Sequence, residues 1–422
     1  MPKTVLFVTY HFPPSAASGT HRLLGFAEHL PTLGWQVAVV SPSIIPWEAV
    51  DERLVSRIPA ATNVSYVDYP TGRMYWPLRK IHGFAAWLPR VLRRMGRLMA
   101  TISPDVVVTS GPPHCVHLVG LYLKRSSGVT WLADFRDPWV AGNFTVQTDW
   151  WWNSSARVGE RWVFDRADAI IANAPNAQKI VATHYPQHAD KIHCVTNGYD
   201  PTQFVGLVHS PSKRFVVTHA GELYAGRDPR PFLDAVRLTL DENQGERDRL
   251  IIDFVGSASS GEFDLNAEIE KRGLAGTVHS IGTVPYRQSL ERMARSDLLL
   301  LIDSPSRTVG VPAKLYEYIG AKRPILALAS AESDVDWVLR QASRPYQLVG
   351  TQDVHGIHIA LRRFLKGPSL TAVSGDCSTF TRNSTARKLS QIMEALVPPE
   401  RDIVATQVQT EIPSALTGDF RC

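Results

Sequence analysis

One short stretch, Ala133 to Trp139, reads ADFRDPW and carries Asp134, Arg136 and Asp137 within four residues. A strand-to-helix connection needs only a turn former and a helix cap. A cation held between two acids suits either a local ion pair or a wall facing a polar substrate. Farther along, Lys314 and Glu317 stand three apart in VGVPAKLYEYIGAKRPIL, on a helix that Pro312 can start, so both lie on one face. An ammonium aimed at phosphate and a carboxylate aimed at a ribose diol, one turn apart, form a nucleotide grip, and Gly310 leaves room for a ligand to approach. Two Gly-bearing loops add anion-binding character. Ser18-Gly19-Thr20 ends the loop after the first strand, and in HAGELYAGRDPRPF Gly221 follows a strand while Arg227 and Arg230 bracket a helix start. Small residues there let backbone N–H groups and a helix N-terminus face negative charge.

Weaker constellations carry plainer readings. Asp334-Val335-Asp336 has metal-binding spacing but sits at a helix start, where an acid caps. His114 and His117 lie three apart without the further ligands a zinc site needs. His11, just after the first strand, is a candidate general base. No metal site is expected.

These residues must be held by elements of a particular kind. Short apolar runs alternate with helix-period segments, which is the signature of parallel sheets covered by helices. Strands are expected at Thr4–Val8, Val37–Val40, Val64–Val67, Val106–Thr109, Thr130–Ala133 and Ala169–Ala172. A second series covers Phe215–His219, Ile251–Val255, Val278–Ile281, Leu298–Ile302 and Ile325–Leu328. The fold class is therefore α/β, with two doubly wound Rossmann-like domains facing a cleft. Gly198–Arg214 lacks periodicity and is the linker. The expected division is 1–205 for the first domain, 206–378 for the second, 379–397 for a C-terminal helix crossing back to the first, and 398–422 for a disordered polar tail.

Length and composition agree with that organisation. The 422 residues exceed one compact core, and 44% hydrophobic with 20% charged residues is a globular composition. A net charge of +5 gives no reason to expect a nucleic-acid partner. No run reaches the roughly 18 apolar residues of a membrane span. The N-terminal apolar stretch lacks a signal-peptide pattern, and four cysteines without CxxC spacing fit a reducing cytosol.

One segment stands apart. Between Arg73 and Arg97, Trp76, Phe84, Trp87, Leu88, Val91, Leu92 and Met95 interleave with Arg79, Lys80, Arg90, Arg93, Arg94 and Arg97, and no acid is present. Such a helix suits a membrane interface, and equally a domain surface with a solvated basic face.

Taken in order, YHFPPSAASGTHRLLGF, SGPPH, ADFRDPW, VTNGYDPTQF, HAGELYAGRDP and VPAKLYEYIGAKRPIL resemble the GT-B glycosyltransferases of retaining family 4 along nearly the whole chain. The resemblance implies a nucleotide-sugar donor held mainly by the second domain, an acceptor held mainly by the first, and no separate cofactor. Glu317 matches the second carboxylate of the family's E-x7-E motif, which binds the donor ribose, while the first falls at Val309. Arg227 and Lys314 are assigned to the leaving diphosphate, and Gly19 to its close approach. Gly221 and Gly310 complete the donor set. Arg136 stands where many relatives place a histidine and Asp137 keeps the acid, so Asp137, Arg136 and Asp134 are the catalytic candidates. Expected, then, is metal-independent sugar transfer with retention to a saccharide, lipid-linked or small-molecule acceptor, in a cytosolic protein that touches the membrane if 73–97 does so. The alternative is a catalytically degenerate GT-B binding or membrane-surface scaffold protein.

Overall fold

The computed structural model describes residues 2–70, 83–141, 150–209, 212–224, 226–243, 245–257, 259–260, 262–305, 307–342, 344–367 and 377–397. The expected tail, 398–422, and the first part of the basic segment, 73–82, lie outside them. Valine- and isoleucine-rich runs form two parallel sheets because their side chains are covered on both faces. The first sheet contains β1 (Lys3–Thr9), β2 (Trp35–Ser41), β3 (Asn63–Tyr66), β4 (Val106–Gly111), β5 (Thr130–Phe135), β6 (Ala169–Ala172) and β7 (Ile192–Cys194), in the order β3-β2-β1-β4-β5-β6-β7. The second domain has β8 (Phe215–Ala220), β9 (Leu250–Val255), the short antiparallel pair β10 (Ser259–Ser260) and β11 (Phe263–Asp264), then β12 (Val278–Gly282), β13 (Leu298–Ile302), β14 (Ile325–Leu328) and β15 (Tyr346–Val349). Its six-stranded sheet runs β12-β9-β8-β13-β14-β15. Strand order therefore reverses between β1 and β4 and again between β8 and β13, the two places where a crevice opens at the carboxyl ends.

Alternation along β1 divides the first core. Leu6, Val8 and Tyr10 join one buried cluster, while Val5 and Phe7 join another with Leu23 and Phe26 of the Ser18–His29 helix. The helix Arg382–Leu396 packs on that same helix through Ala386, Leu389 and Met393, and Trp35 Nε1 donates to Ser390 Oγ at 2.9 Å. The linker is tied at Tyr199, which donates to Phe380 O at 2.9 Å and accepts from Arg382 N at 2.8 Å. The second core also takes in Ala172, Ala174 and Ala177 of the first domain, so the two domains share packed surface.

The described part of the basic segment forms the helix Leu88–Ile102. Trp87, Val91 and Met95 are fully buried in the first core, and Trp87 Nε1 donates to Val67 O at 2.7 Å. Its apolar ridge is thus committed to the protein interior, leaving Arg93, Arg94 and Arg97 exposed on the other side. No helix among the described residues is long and apolar enough to cross a membrane.

Candidate active site

The ADFRDPW charges separate in space. Asp134, near the end of β5, is buried, and its carboxylate takes Arg22 Nη2 at 2.8 Å, Arg22 Nε at 3.1 Å and Ser110 Oγ at 2.8 Å. Arg22 also donates to Val195 O, Thr196 O and Asn197 Oδ1. This bidentate pair ties the Ser18–His29 helix to β4, β5 and the strand end at Val195, and it uses the acid's lone pairs structurally.

Arg136 turns the other way. Its Nε donates to Gly111 O at 3.1 Å, another N–H bonds Pro112 O, and Nη2 reaches His11 Nδ1 at 3.0 Å. Burial lowers its pKa to about 10, so it stays cationic at neutral pH. Its guanidinium lies against Gly19, where an added β-carbon would stand 1.1 Å from Nη1. The close approach that requires a glycine at this helix start is therefore made by Arg136. Asp137 is exposed at the carboxyl end of β5, with no hydrogen bond among the described residues. The turn after it is anchored by Glu160, whose Oε1 accepts from Val140 N and Ala141 N at 3.3 Å each. Burial pushes the Glu160 carboxyl up to about 6.

A guanidinium only donates, so His11 accepts at Nδ1 and carries its proton on Nε2, which donates to Glu48 Oε1 at 3.0 Å. Both ring nitrogens are engaged, which leaves His11 no lone pair with which to act as a base in this arrangement. His117 bonds Thr109 Oγ1 at 2.9 Å, and burial holds its pKa down to about 3. No group of three or more metal-binding side chains occurs among the described residues. Ser333, not Asp334, caps the helix Asp334–Gln341 by accepting from Asp336 N. Asp334 instead joins the domains: its carboxylate accepts from Asn176 N at 2.8 Å and Gly310 N at 2.7 Å.

On the second domain, the helix Ala313–Ala321 is pinned by buried Leu315, Tyr316, Tyr318 and Ile319, leaving positions 314 and 317 toward the cleft. Ala220 N donates to Tyr318 Oη at 2.8 Å, which fixes the helix on β8. Lys314 Nζ meets Glu317 Oε2 at 2.6 Å and lies 5.6 Å from the centre of the Tyr286 ring. Burial, then the nearby Glu317 carboxylate, raises the pKa of Tyr286 above the usual phenol value. A β-carbon at Gly221 would fall 3.7 Å from Lys314 Cγ, so that loop borders the same place. Arg227 stacks on Tyr224 at 4.6 Å, with Nε 4.0 Å from Asp303 Oδ1. Arg307 Nη1 approaches the same oxygen at 3.7 Å, and burial raises the Asp303 pKa. Gly310 has φ +82, a conformation that suits glycine, and its N–H is held by Asp334. Arg230 pairs with Asp228 at 2.8 Å, away from this group.

Val309 is buried among the apolar residues of the second core. His21, one turn into the first helix, stacks on Tyr286 with ring centres 5.9 Å apart and planes 22° apart. Burial, then the nearby Arg382, Arg57 and Lys314 charges, lower its pKa to about 3. Sequence reasoning missed His21, Tyr286, Glu48, Arg22 and Asp303. Only Arg22 carried a signal, being a lone cation on the apolar stretch that follows Gly19.

Residues 20–203 match the family model for Glycosyltransferase Family 4. Anabaena HepE, solved in complex with UDP, superposes with a TM-score of 0.66 at 16% identity, covering 93% of this chain and 100% of that one. Sucrose-phosphate synthase from Thermosynechococcus elongatus gives 0.65 at 13%, covering 93% and 99%. WaaG, a glycosyltransferase involved in lipopolysaccharide biosynthesis, gives 0.59 at 15%, covering 92% and 99%. No curated protein matches the sequence significantly. The two parallel-sheet domains are the GT-B fold. Within that fold, residues 20–203, most of the first domain, are similar to Glycosyltransferase Family 4.

Proposed function

We propose that this protein transfers a sugar from a nucleoside-diphosphate sugar to an acceptor hydroxyl with retention of anomeric configuration and without a metal. The observation that carries the reading is the grouping of Lys314, Glu317 and Tyr286 opposite His21, with Arg227 on the adjoining loop. Glu317 takes the ribose diol, while Lys314 and Arg227 meet the diphosphate together with the helix N-termini at Ser18 and Ala313. Gly221 and Gly310 keep the bordering loops low. Growing charge on the leaving diphosphate needs fixed cations and dipoles more than a strong base, because a phosphate oxygen can take the acceptor proton. Asp137, exposed and without a hydrogen bond among the described residues, stabilises the cationic sugar centre, and Arg136 with Gly19 shapes the first-domain wall. UDP bound to HepE supports a uridine nucleotide donor.

The acceptor belongs to surface polysaccharide or glycoconjugate assembly on the inner face of a membrane, reached through the exposed Arg93, Arg94 and Arg97. A second reading, binding without turnover, draws on Val309 at the motif's first carboxylate. Incubation with UDP-sugars and NMR of the product decide between them. Transfer with an unchanged anomeric configuration supports the enzyme, whereas tight UDP binding with neither transfer nor hydrolysis supports the binding protein.

A further inference from the structure

A cavity of about 390 Å3 opens at the carboxyl end of the first sheet, beside the β1–β4 reversal. Its walls are largely apolar, among them Ala17, Ala49, Phe84 and Pro113, and its polar groups are His11 and Glu48. The volume suits a small ligand, and apolar walls with a few converging polar atoms are what such a site needs. Glu48 belongs to none of the motifs that mark the cleft. Its Oε1 takes the proton of His11 Nε2 at 3.0 Å and its Oε2 that of Ser15 Oγ at 3.1 Å. A carboxylate oxygen can accept a second bond, so this fixed anion keeps capacity for a hydroxyl donor.

Among the described residues no cation lines this cavity. Arg136 sits behind His11: its Nε and Nη2 donate to Gly111 O, Pro112 O and the imidazole, and its Nη1 lies against Gly19. A ligand carboxylate or phosphate would therefore meet Glu48 with no cation among the described lining residues to offset the repulsion. Ala17 caps the Ser18–His29 helix, and His21 one turn later stacks on Tyr286 beside Lys314 and Glu317. Cavity and nucleotide grip thus adjoin the same helical turn, which rises only about 5.4 Å.

We propose that Glu48 orients the acceptor hydroxyl in this cavity, and that the acceptor presents a neutral pyranose ring with its C–H face on the apolar walls. The inference rests on the sugar-transfer reading above. It is tested on the full chain with methyl β-D-glucopyranoside and its 6-carboxylate analogue by saturation-transfer NMR, with UDP affinity measured calorimetrically on the same samples. The neutral glycoside is expected to bind at least roughly tenfold more tightly than the acid. Glu48→Gln, which removes the charge and keeps the shape, should bring that ratio close to one. Ala49→Leu, on the exposed rim, should abolish glycoside binding while UDP affinity is kept. Equal or tighter binding of the acid by the unmodified protein, an unchanged ratio in Glu48→Gln, or no glycoside binding at all overturns the proposal. Failure of UDP to bind would count against the donor reading alone, since the glycoside ratio is read independently.

Discussion

Arg22 and Asp134 form a buried bidentate pair, 2.8 and 3.1 Å across, that joins the first helix to the end of β5. Removing one partner strands a buried charge, which costs more than the pair itself contributes. Asp134→Asn should therefore destabilise the protein by about 3 kcal/mol in urea unfolding. Turnover per folded molecule should change far less than in Asp137→Asn. A stable but inactive Asp134→Asn protein would place this acid in the chemistry instead.

Gly19 and Arg136 occupy one space, with 1.1 Å between a built β-carbon and Nη1. Gly19→Ala should displace Arg136 and reduce transfer about as much as Arg136→Ala does. The double variant should lose little more than either single one, with a coupling of about 1–3 kcal/mol in a double-mutant cycle. Strictly additive losses would mean that the two residues act separately.

The Lys314–Glu317 contact must open when a donor arrives, because each group then has a different partner. Lys314→Met should weaken UDP roughly 10- to 100-fold, the worth of a charged hydrogen bond, while uridine binding is unchanged or slightly improved. Glu317→Gln should weaken UDP and uridine alike. Calorimetry with the two ligands separates the roles, and equal effects of Lys314→Met on both would contradict the assignment.

Acid should destabilise the fold before the carboxylates are titrated. His117 and His219 have folded pKa values of about 3 and about 4, below the ordinary imidazole value of 6.5. His21 is shifted in the same direction. Below pH 6.5 the unfolded chain binds protons that the native state does not, so stability present above that pH is lost as pH falls toward 4. Each such histidine contributes a slope of ~1.4 kcal/mol per pH unit. Glu160 works oppositely between 4.5 and 6, because its raised pKa lets the native state keep a proton that the unfolded chain has released. The net loss near pH 5 should still be at least one proton's worth. His117→Asn should flatten the urea-midpoint profile between pH 6.5 and 4.5 by about one proton. A stability that is level or rising as pH falls through this window would contradict it.

The sheets were legible because β-branched runs with turns on both sides leave little choice of element. Ala169–Ala172, Leu298–Ile302 and Ile325–Leu328 fall as expected. The missed strands are edge or marginal ones. Ile192–Cys194 has three residues, Tyr346–Val349 is only half-buried on the outer edge, and β10 and β11 have two residues each. The two-domain α/β architecture was therefore readable, as was the likeness of the first domain to Glycosyltransferase Family 4.

The site was readable only where its parts are close in the chain. Lys314 and Glu317 share a helical turn, so spacing alone placed them together. His21 with Tyr286, or His11 with Glu48 and Arg136, meet through sheet order and domain contact, which no local pattern encodes. The ADFRDPW stretch shows the converse. Alternation along β5 sends Asp134 inward to Arg22, and Arg136 folds back onto Gly111, so neighbours in sequence serve different surfaces.

The central claim, a nucleotide grip built from Glu317, Lys314 and Arg227, is tested most directly by calorimetric titration of UDP into the unmodified protein, Glu317→Gln and Arg227→Ala. Measurable binding that each substitution weakens by roughly tenfold or more, with thermal unfolding nearly unchanged, is the predicted result. UDP binding of equal strength in all three proteins would contradict it.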